Sequence, residues 1–478
     1  MPDQLRWDFV GCYGKPYAHT PNIDALASRG LLYNRCISPS PVCIPARASM
    51  LTGHNSISTG VLNNNYWLRP DHDDLGVPSF ASLLSDAGYH TEAIGKMHFI
   101  PWDKSEGFDH RVIAEDKRHI HIRDDYHHYL RDHGLRKYAG PEEPGYVEGR
   151  MASVSLVPIE HQVDTWVGER SVEFIKTYDK DKPFFLWTSF PGPHDPYNPP
   201  QEILNDVESA AMPEAFKNTT DTLEFRQAII DAHADGSAQI DISNFTPAMK
   251  QRIRRHYQGL IRIIDKQVGD IVRTLDTLNN GRETLIVFAS DHGDFLGDYD
   301  FLGKVLFFES SLRVPMIVSG AHVKTGRSDA LVSLSDVFST FTCAAGVKII
   351  AQDSIPLPGI GYGDTQRQYV MGATDMGYMI CTNQLKLSRY YNGVTTLHDI
   401  VDDPQEQDNL FNRPEYSEQR DSLDRHLTAW LTNSIMDGHA DKEYPYMTMN
   451  PDHPGHRRGW HRTYPQKSSS WKNSPITF

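Results

Sequence analysis

The 478 residues contain no apolar run long enough to cross a bilayer, which argues against a transmembrane segment and against a membrane partner. Basic residues are in deficit: 47 lysines and arginines face 62 aspartates and glutamates, a net charge of −15. That balance excludes a general attraction to nucleic acid, so any anionic substrate must be captured by a local basic site. Cysteine is scarce. The five residues Cys12, Cys36, Cys43, Cys343 and Cys381 are odd in number and form no C-x-x-C pair, which indicates neither a disulfide framework nor a thiolate zinc site. No basic-then-apolar leader opens the chain, so no signal peptide is visible and a cytoplasmic location is the default expectation. Internal repeats are absent as well.

What is present is an alternation of helical and strand patterns. Pro21 to Gly30, Val77 to Gly88 and Gln162 to Tyr178 read as helices, and Leu31 to Asn34, Tyr89 to Ile94, Lys182 to Phe190, Thr284 to Ser290 and Val314 to Val318 as strands. Tyr257, Leu260, Ile261, Ile264, Val268, Ile271, Val272 and Leu275 recur at helical spacing, which predicts a long amphipathic helix packed on a sheet. Residues 100–156 have no dominant period; their cluster His119, His121, His127, His128 and His133 reads as a solvated loop and helix rather than a metal site. Residues 199–245 are polar and read as an irregular surface excursion or lid. Leu334 to Ala345 is expected to be helical. From Gln366 the segments become short and alternating, predicting a small antiparallel sheet, with a helix over Arg420 to Leu431. The fold class is therefore α/β, a large mixed, mostly parallel sheet sandwiched by helices. Domain boundaries are expected at 1–365, 366–436 and 437–478, the last an irregular tail.

One stretch stands apart, Ser40 to Gly53, in which Cys43 precedes Pro45 by two residues and Arg47 by four. Pro45 suits the first turn of a helix, where its missing N–H would be unpaired anyway. Cys43 would then sit at a helix N-terminus, with Arg47 one turn along on the same side. This is either a nucleophile or an ordinary buried cysteine before a helix. Other chemistry-bearing residues follow predicted strands: Lys96 and His98, His194, and Asp291 with His292. In an open α/β sheet such strand ends build the site. An acid and a histidine for a metal, cations for negative charge and histidines for proton transfer suit an oxyanion ester, either phosphate or sulfate.

Taken together these residues resemble the formylglycine-dependent sulfatases of the alkaline phosphatase superfamily. Cys43-Ile44-Pro45-Ala46-Arg47 matches the C-x-P-x-R signature, Gly95-Lys96-Met97-His98 the G-K-x-H element, and Pro193-His194 the P-H pair. Asp291-His292-Gly293, Gly303-Lys304, Arg313-Val314-Pro315 and Leu397-His398-Asp399 follow in the family's order. The resemblance implies that Cys43 is converted to formylglycine by a formylglycine-generating enzyme, and that its hydrate attacks sulfur with one oxygen on a divalent metal. It further implies that Asp3, Asp291 and His292, with the modified Cys43, hold that metal. Calcium is favoured, with magnesium or manganese as alternatives. Arg47 and Lys96 would steady nucleophile and sulfate, and Lys304 and His194 would hold sulfate oxygens and protonate the departing alcohol. His98 would be the base that collapses the sulfated intermediate, and Asn64 and Gln4 would contact substrate.

Two departures carry consequences. The first metal motif is Asp3-Gln4 rather than two aspartates, a variant of choline-sulfatase-like and phosphonate-hydrolase-like branches, and the apolar strand that normally precedes it is missing, as though the start were truncated. Asp3 is accordingly expected to be poorly anchored and its backbone to fray. The expected substrate is a sulfated glycan or small molecule, a carbohydrate sulfate first and aryl or choline sulfate after it, with Tyr66, Trp67, Arg69, Trp102, Tyr126 and Tyr197 as candidate pocket residues. Hydrolysis of phosphonate monoesters or phosphodiesters is the enzymatic alternative, disfavoured by the charged pair Lys96 and His98. A catalytically inert binding protein on the same fold is the alternative of another class. The aromatic and basic tail after Asp437 is expected to dock on the body or on a second copy of the chain.

Overall fold

A computed structural model describes residues 1–73, 76–179, 181–208, 212–235, 239–278, 283–349 and 351–440. In chain order come β1 (Pro2–Asp3), α1 (Pro21–Ser28), β2 (Leu31–Ile37), α2 (Cys43–Thr52), α3 (Ser56–Thr59), α4 (Phe80–Asp86), β3 (His90–Gly95) and β4 (His110–Ile113). After them follow α5 (Asp125–Asp132), α6 (Val163–Thr177), β5 (Phe184–Pro193), α7 (Gln201–Asn205), α8 (Thr220–Asp235), α9 (Pro247–Leu278) and β6 (Ile286–Ala289). The next group is α10 (Glu309–Leu312), β7 (Arg313–Val314), β8 (Met316–Ser319), β9 (Gly326–Ser333) and α11 (Asp336–Ala344). The last is β10 (Val370–Thr374), β11 (Gly377–Cys381), β12 (Leu385–Tyr390), β13 (Thr395–Asp399) and α12 (Ser417–Ala440).

Strands β1, β5, β3 and β4 pair in that order, all parallel, so their C-terminal ends share one edge. Strands β6, β8, β2 and β7 form a second, antiparallel run, and β9 joins it parallel to β2. The two runs meet where β1 faces β6. There the Ser290 hydroxyl accepts the Leu5 N–H at 2.8 Å and donates to the Pro2 carbonyl at 3.0 Å. Alternation along each strand sends side chains to opposite faces. Leu32, Ile94, Phe288 and Ile317 enter one core with residues of α1, α6 and α9, while their neighbours Tyr33, Ala93, Ala289 and Val318 enter another with α2, α4 and α11. Near-continuous apolar strands read as buried on both faces for this reason. The amphipathic helix expected from Tyr257 onward is α9, and its Tyr257, Ile261 and Ile264 are wholly buried.

Several expectations need correction. Residues 199–245 are not an irregular excursion: α7 and the 16-residue α8 lie there. Phe225 of α8 is buried edge-on against Tyr390, 4.7 Å between centroids, so tertiary packing supports a helix that the polar surface of this segment conceals. The strand expected over Val314 to Val318 is divided at Pro315, which has no N–H for the ladder. Residues 100–156 contribute β4, which pairs with β3. The C-terminal helix is twice the expected length, because its far end docks on α3 through Asn55 Nδ2, which donates to Ser434 Oγ at 2.9 Å. Its inner face meets β11, β12 and β13 in a small core of Ile380, Leu387, Leu397, Leu423 and Leu427. The part of the tail beyond residue 440, with its expected docking role, lies outside the described residues.

Candidate active site

The helix α2 begins at Cys43, with Val42 in an extended conformation before it and Gly53 closing it in the left-handed region. Asn64 completes the N-terminus: its Oδ1 accepts the Ile44 N–H at 3.0 Å. All ten residues of α2 are buried, so the thiol projects from a rigid, water-excluded end. Three other groups converge on it. Lys304 Nζ lies 3.1 Å and His292 Nε2 3.2 Å from Cys43 Sγ, and Asp3 Oδ1 lies at 3.8 Å. Burial alone would raise the thiol, but the cations of Lys304, His292 and Lys96 hold it well below the ordinary thiol range.

Asp3 is anchored, contrary to the expected fraying. Its strand pairs with β5, the Phe190 N–H donates to the Met1 carbonyl at 2.9 Å, and the Met1 amine donates to the Thr188 carbonyl at 2.7 Å. Burial lowers that amine to about 5. The Asp3 side chain is fully buried and receives Arg47 Nη2 at 2.9 Å and Lys96 Nζ at 3.0 Å on Oδ2. Burial and the Cys43 thiol push its carboxyl up, yet these two cations prevail and keep it below the usual range. Arg47 Nε also donates to Asp291 Oδ2 at 2.9 Å, so one guanidinium fixes two carboxylates. Lys96 reaches the site because Gly95 lies against β5; a Cβ there would stand 2.0 Å from the Ser189 carbonyl oxygen.

His292 and His194 are oriented alike. Nδ1 of His292 is 2.8 Å from the Gly293 carbonyl and Nδ1 of His194 is 2.9 Å from the Asp195 carbonyl, so each Nδ1 carries a proton and each Nε2 faces the site. Nε2 of His194 lies 2.7 Å from Lys304 Nζ. Gln4 bridges inward: Oε1 accepts Lys304 Nζ at 2.5 Å, Nε2 donates to Asp294, and the backbone N–H donates to Asp291 Oδ1 at 2.9 Å. Asp294, raised by burial, is further held by the Tyr197 hydroxyl at 2.6 Å.

Among the sequence-predicted residues, the structure brings together Cys43, Arg47, Lys96, His194, Lys304, Asp3, Gln4, Asp291 and His292, with Asn64 at the helix cap. His98 stands outside that circle of contacts. Its backbone N–H donates to both Glu115 carboxylate oxygens at 3.2 Å, its ring lies edge-on to His119, and its Nδ1 is buried without a partner among the described residues. Of the aromatic pocket candidates, Tyr126 donates to the His161 carbonyl and Trp67 to Glu106, both in packing roles, while Tyr66 is exposed. Sequence reasoning missed Asp116 and Arg118. Lys96 Nζ donates to Asp116 Oδ2 at 2.8 Å, and Arg118 Nη2 donates to the same oxygen at 2.9 Å. Both residues follow β4, so the strand-end rule would have found them had that strand been recognised.

A metal fits the donor set. One ligand atom each of Asp3, Cys43, Asp291 and His292 lies within 4.8 Å of the others, the single such group among the described residues. Two carboxylates and an imidazole whose Nε2 faces them, and which would give up its proton to a metal, suit a hard divalent cation.

A sheet covered on both faces, with polar strand ends gathered at one edge around a potential nucleophile, is the arrangement of an α/β enzyme whose site lies at its strand ends. Solved structures show the same fold: a phosphonate monoester hydrolase of Agrobacterium radiobacter superposes with a TM-score of 0.76 at 21% identity, over 91% of this chain and 94% of that one. A protein solved in complex with its substrate D-glucosamine-2-N,6-O-disulfate gives 0.71 at 21% identity, over 93% and 98%. The sulfatase family model matches residues 1–347, and the chain belongs to the sulfatase family, which hydrolyses sulfuric esters. It is 28% identical to an arylsulfatase of Clostridium perfringens, over 94% of this chain and 98% of the relative. An N-acetylglucosamine-6-O-sulfatase of Bacteroides thetaiotaomicron is 24% identical, over 88% and 84%.

Proposed function

We propose that this sulfatase hydrolyses sulfate monoesters on a saccharide, using a formylglycine made from Cys43 by a formylglycine-generating enzyme and one divalent cation, calcium before magnesium or manganese. The convergence of Lys304, His292 and Asp3 on Cys43 Sγ carries the reading. The cation would be held by Asp3, Asp291 and His292, and when bound it supplies Lewis acidity to the modified residue and to a sulfate oxygen. Cys43, once converted, would present its hydrate hydroxyl from the N-terminus of α2 toward the sulfur of the ester.

The remaining chemistry belongs to side chains already in place. Arg47 and Lys96 hold the carboxylates in fixed rotamers, so nothing need reorganise as charge shifts in the reaction. Lys304 and His194 Nε2, 2.7 Å apart, bind sulfate oxygens and hold a proton for the departing alcohol. Burial of Asp3, Cys43, Arg47, Lys96, Asp291 and His292 excludes water and strengthens each of these interactions.

The saccharide is supported by the relatives named for N-acetylglucosamine 6-O-sulfate and, from Formosa agariphila at 25% identity, for ulvan. Phosphonate monoester hydrolysis is the second reading; the Asp3-Gln4 pair is compatible with it as with a choline-sulfatase-like branch, and the buried Lys96 cation opposes it. Turnover of sulfated monosaccharides, aryl sulfate, choline sulfate and aryl phosphonate by matured, calcium-loaded protein decides the matter. Fastest turnover of a sulfated saccharide is expected. Faster phosphonate turnover would overturn the reading, and no turnover of any ester would support an inert binding protein.

A further inference from the structure

The charged groups around Cys43 form a circuit. From Cys43 Sγ it passes to Lys304 Nζ at 3.1 Å, to His194 Nε2 at 2.7 Å, to Arg118 Nη2 at 3.3 Å, to Asp116 Oδ2 at 2.9 Å, to Lys96 Nζ at 2.8 Å and back through Asp3. Lys96 and Asp3 are wholly buried, and Asp116 and His194 have side chains 1% exposed. Arg118 keeps 25% of its side chain in solvent, so with the half-buried Lys304 it marks the side from which an ester enters.

Its guanidinium is oriented rather than loosely placed. Nε donates to Asp116 Oδ1 at 3.0 Å and Nη2 to Oδ2 at 2.9 Å, while the Arg118 backbone N–H also reaches Oδ1 at 2.9 Å. This two-point grip turns the far edge of the fork toward His194 and toward Asp195, which Nη1 meets only at 3.4 Å. At His194 the donors outnumber the acceptor. The ring's Nδ1 proton is committed to the Asp195 carbonyl, leaving one lone pair on Nε2, and two cations point at it, Lys304 from 2.7 Å and Arg118 from 3.3 Å. A tetrahedral oxyanion, with several lone pairs on each oxygen, satisfies both cations at once. Asp116 is also paired with Lys96, at 2.8 Å.

We propose that Arg118 is a substrate-binding residue whose Nη2 takes an oxygen of the scissile sulfate group beside Lys304 and His194. The assignment rests on the sulfatase reading of the same site and adds to it a second cation beside Lys304, contributed by the loop after β4. A guanidinium there favours an oxyanion that offers two oxygens to neighbouring donors, so inorganic sulfate, the product, binds to the same groups.

The test uses the full chain with formylglycine and metal verified in each preparation. Arg118→Gln is expected to raise both the inhibition constant of inorganic sulfate and the KM for the ester by about 10- to 100-fold, as loss of a charge-assisted hydrogen bond does, with a smaller fall in kcat. Arg118→Lys, which keeps a charge near Asp116, is expected to raise the sulfate constant by a few-fold and to retain the wild-type melting temperature, so it decides the matter even if the glutamine variant does not fold. An unchanged sulfate inhibition constant in Arg118→Lys, or in folded Arg118→Gln, would overturn the assignment, and so would a fall in kcat alone. Inhibition is read with whichever ester the wild type hydrolyses fastest. A phosphonate preference would thus sink the function proposed above, while Arg118 is judged by the ratio of variant to wild-type constants.

Discussion

Two buried cysteines of this molecule stand beside cations and are set in opposite states. Cys381, at the end of β11, receives Arg35 Nη2 at 3.2 Å in the junction between β2 and the antiparallel sheet. Cys43 stands at the active-site edge with Lys304 and His292 against it. Burial raises both thiols, and at Cys381 it prevails, because Arg35 is drawn to Glu309 and that carboxylate adds to the rise. At Cys43 the cations win. The junction closes on itself: Lys386 pairs with Glu309 at 3.1 Å and Glu406 at 2.7 Å, and each cation ends on a carboxylate. A buried ion network therefore does not mark a site. Cations left directed at a nucleophile or at an open edge do.

That contrast can be broken in graded steps. Replacing Lys304 by alanine should lower kcat/KM about 10²- to 10⁴-fold with little change in melting temperature, measured by steady-state turnover and calorimetry. Cys381→Ala should leave turnover unchanged. Arg47→Met should cost about 3–5 kcal/mol of stability, since it leaves Asp3 and Asp291 buried without their shared partner, and should abolish metal retention; denaturant unfolding and metal analysis check both. Lys386→Met should cost a similar value, about 3–5 kcal/mol, by leaving Glu406 buried without its cation while Glu309 keeps Arg35, yet leave kcat/KM of the folded fraction as in the wild type. If Lys386→Met instead impaired catalysis at full occupancy of the folded state, the distinction between the two networks would fail.

The smallest effect concerns pH. His398 in the C-terminal sheet and His256 of α9 are both lowered to about 4 by burial. A histidine whose folded pKa lies below its unfolded value contributes stability that is present above the unfolded value, near 6.5, and is lost as pH falls through the folded one. Between those limits the unfolded chain binds the extra proton, so each histidine should steepen the loss by up to about 1.4 kcal/mol per pH unit. Stability at pH 5 should be below that at pH 7, and His398→Gln should flatten the slope; a profile identical to wild type would contradict this origin.

The extent to which the sequence foretold this arrangement follows from the range of the interactions. Alternating strands and the long period of α9 are local patterns, and the helices on both faces follow from them. The residues at strand ends were legible because Lys96, His194 and Asp291 each stand directly after an apolar run. Asp116 and Arg118 were not, because β4 is one exposed and three half-buried residues beginning with histidine and arginine, a strand made by its pairing with β3 rather than by its composition. The anchoring of Asp3 was misjudged for a similar reason. Two residues cannot show a pattern, and it is β5, nearly two hundred positions away, that holds them. The likeness of Gly95-Lys96-Met97-His98 to a family element suggested His98 as a base; its backbone is left-handed, its N–H is held by the Glu115 carboxylate and its ring lies against His119.

The central claim is that the groups around Cys43 serve an aldehyde hydrate rather than a thiolate. Mass spectrometry of the peptide containing Cys43, from protein made alongside a formylglycine-generating enzyme, tests it most directly. Formylglycine at Cys43, in a fraction that tracks specific activity across preparations, is the expected result; a wholly unmodified thiol in protein that still hydrolyses sulfate esters would contradict it.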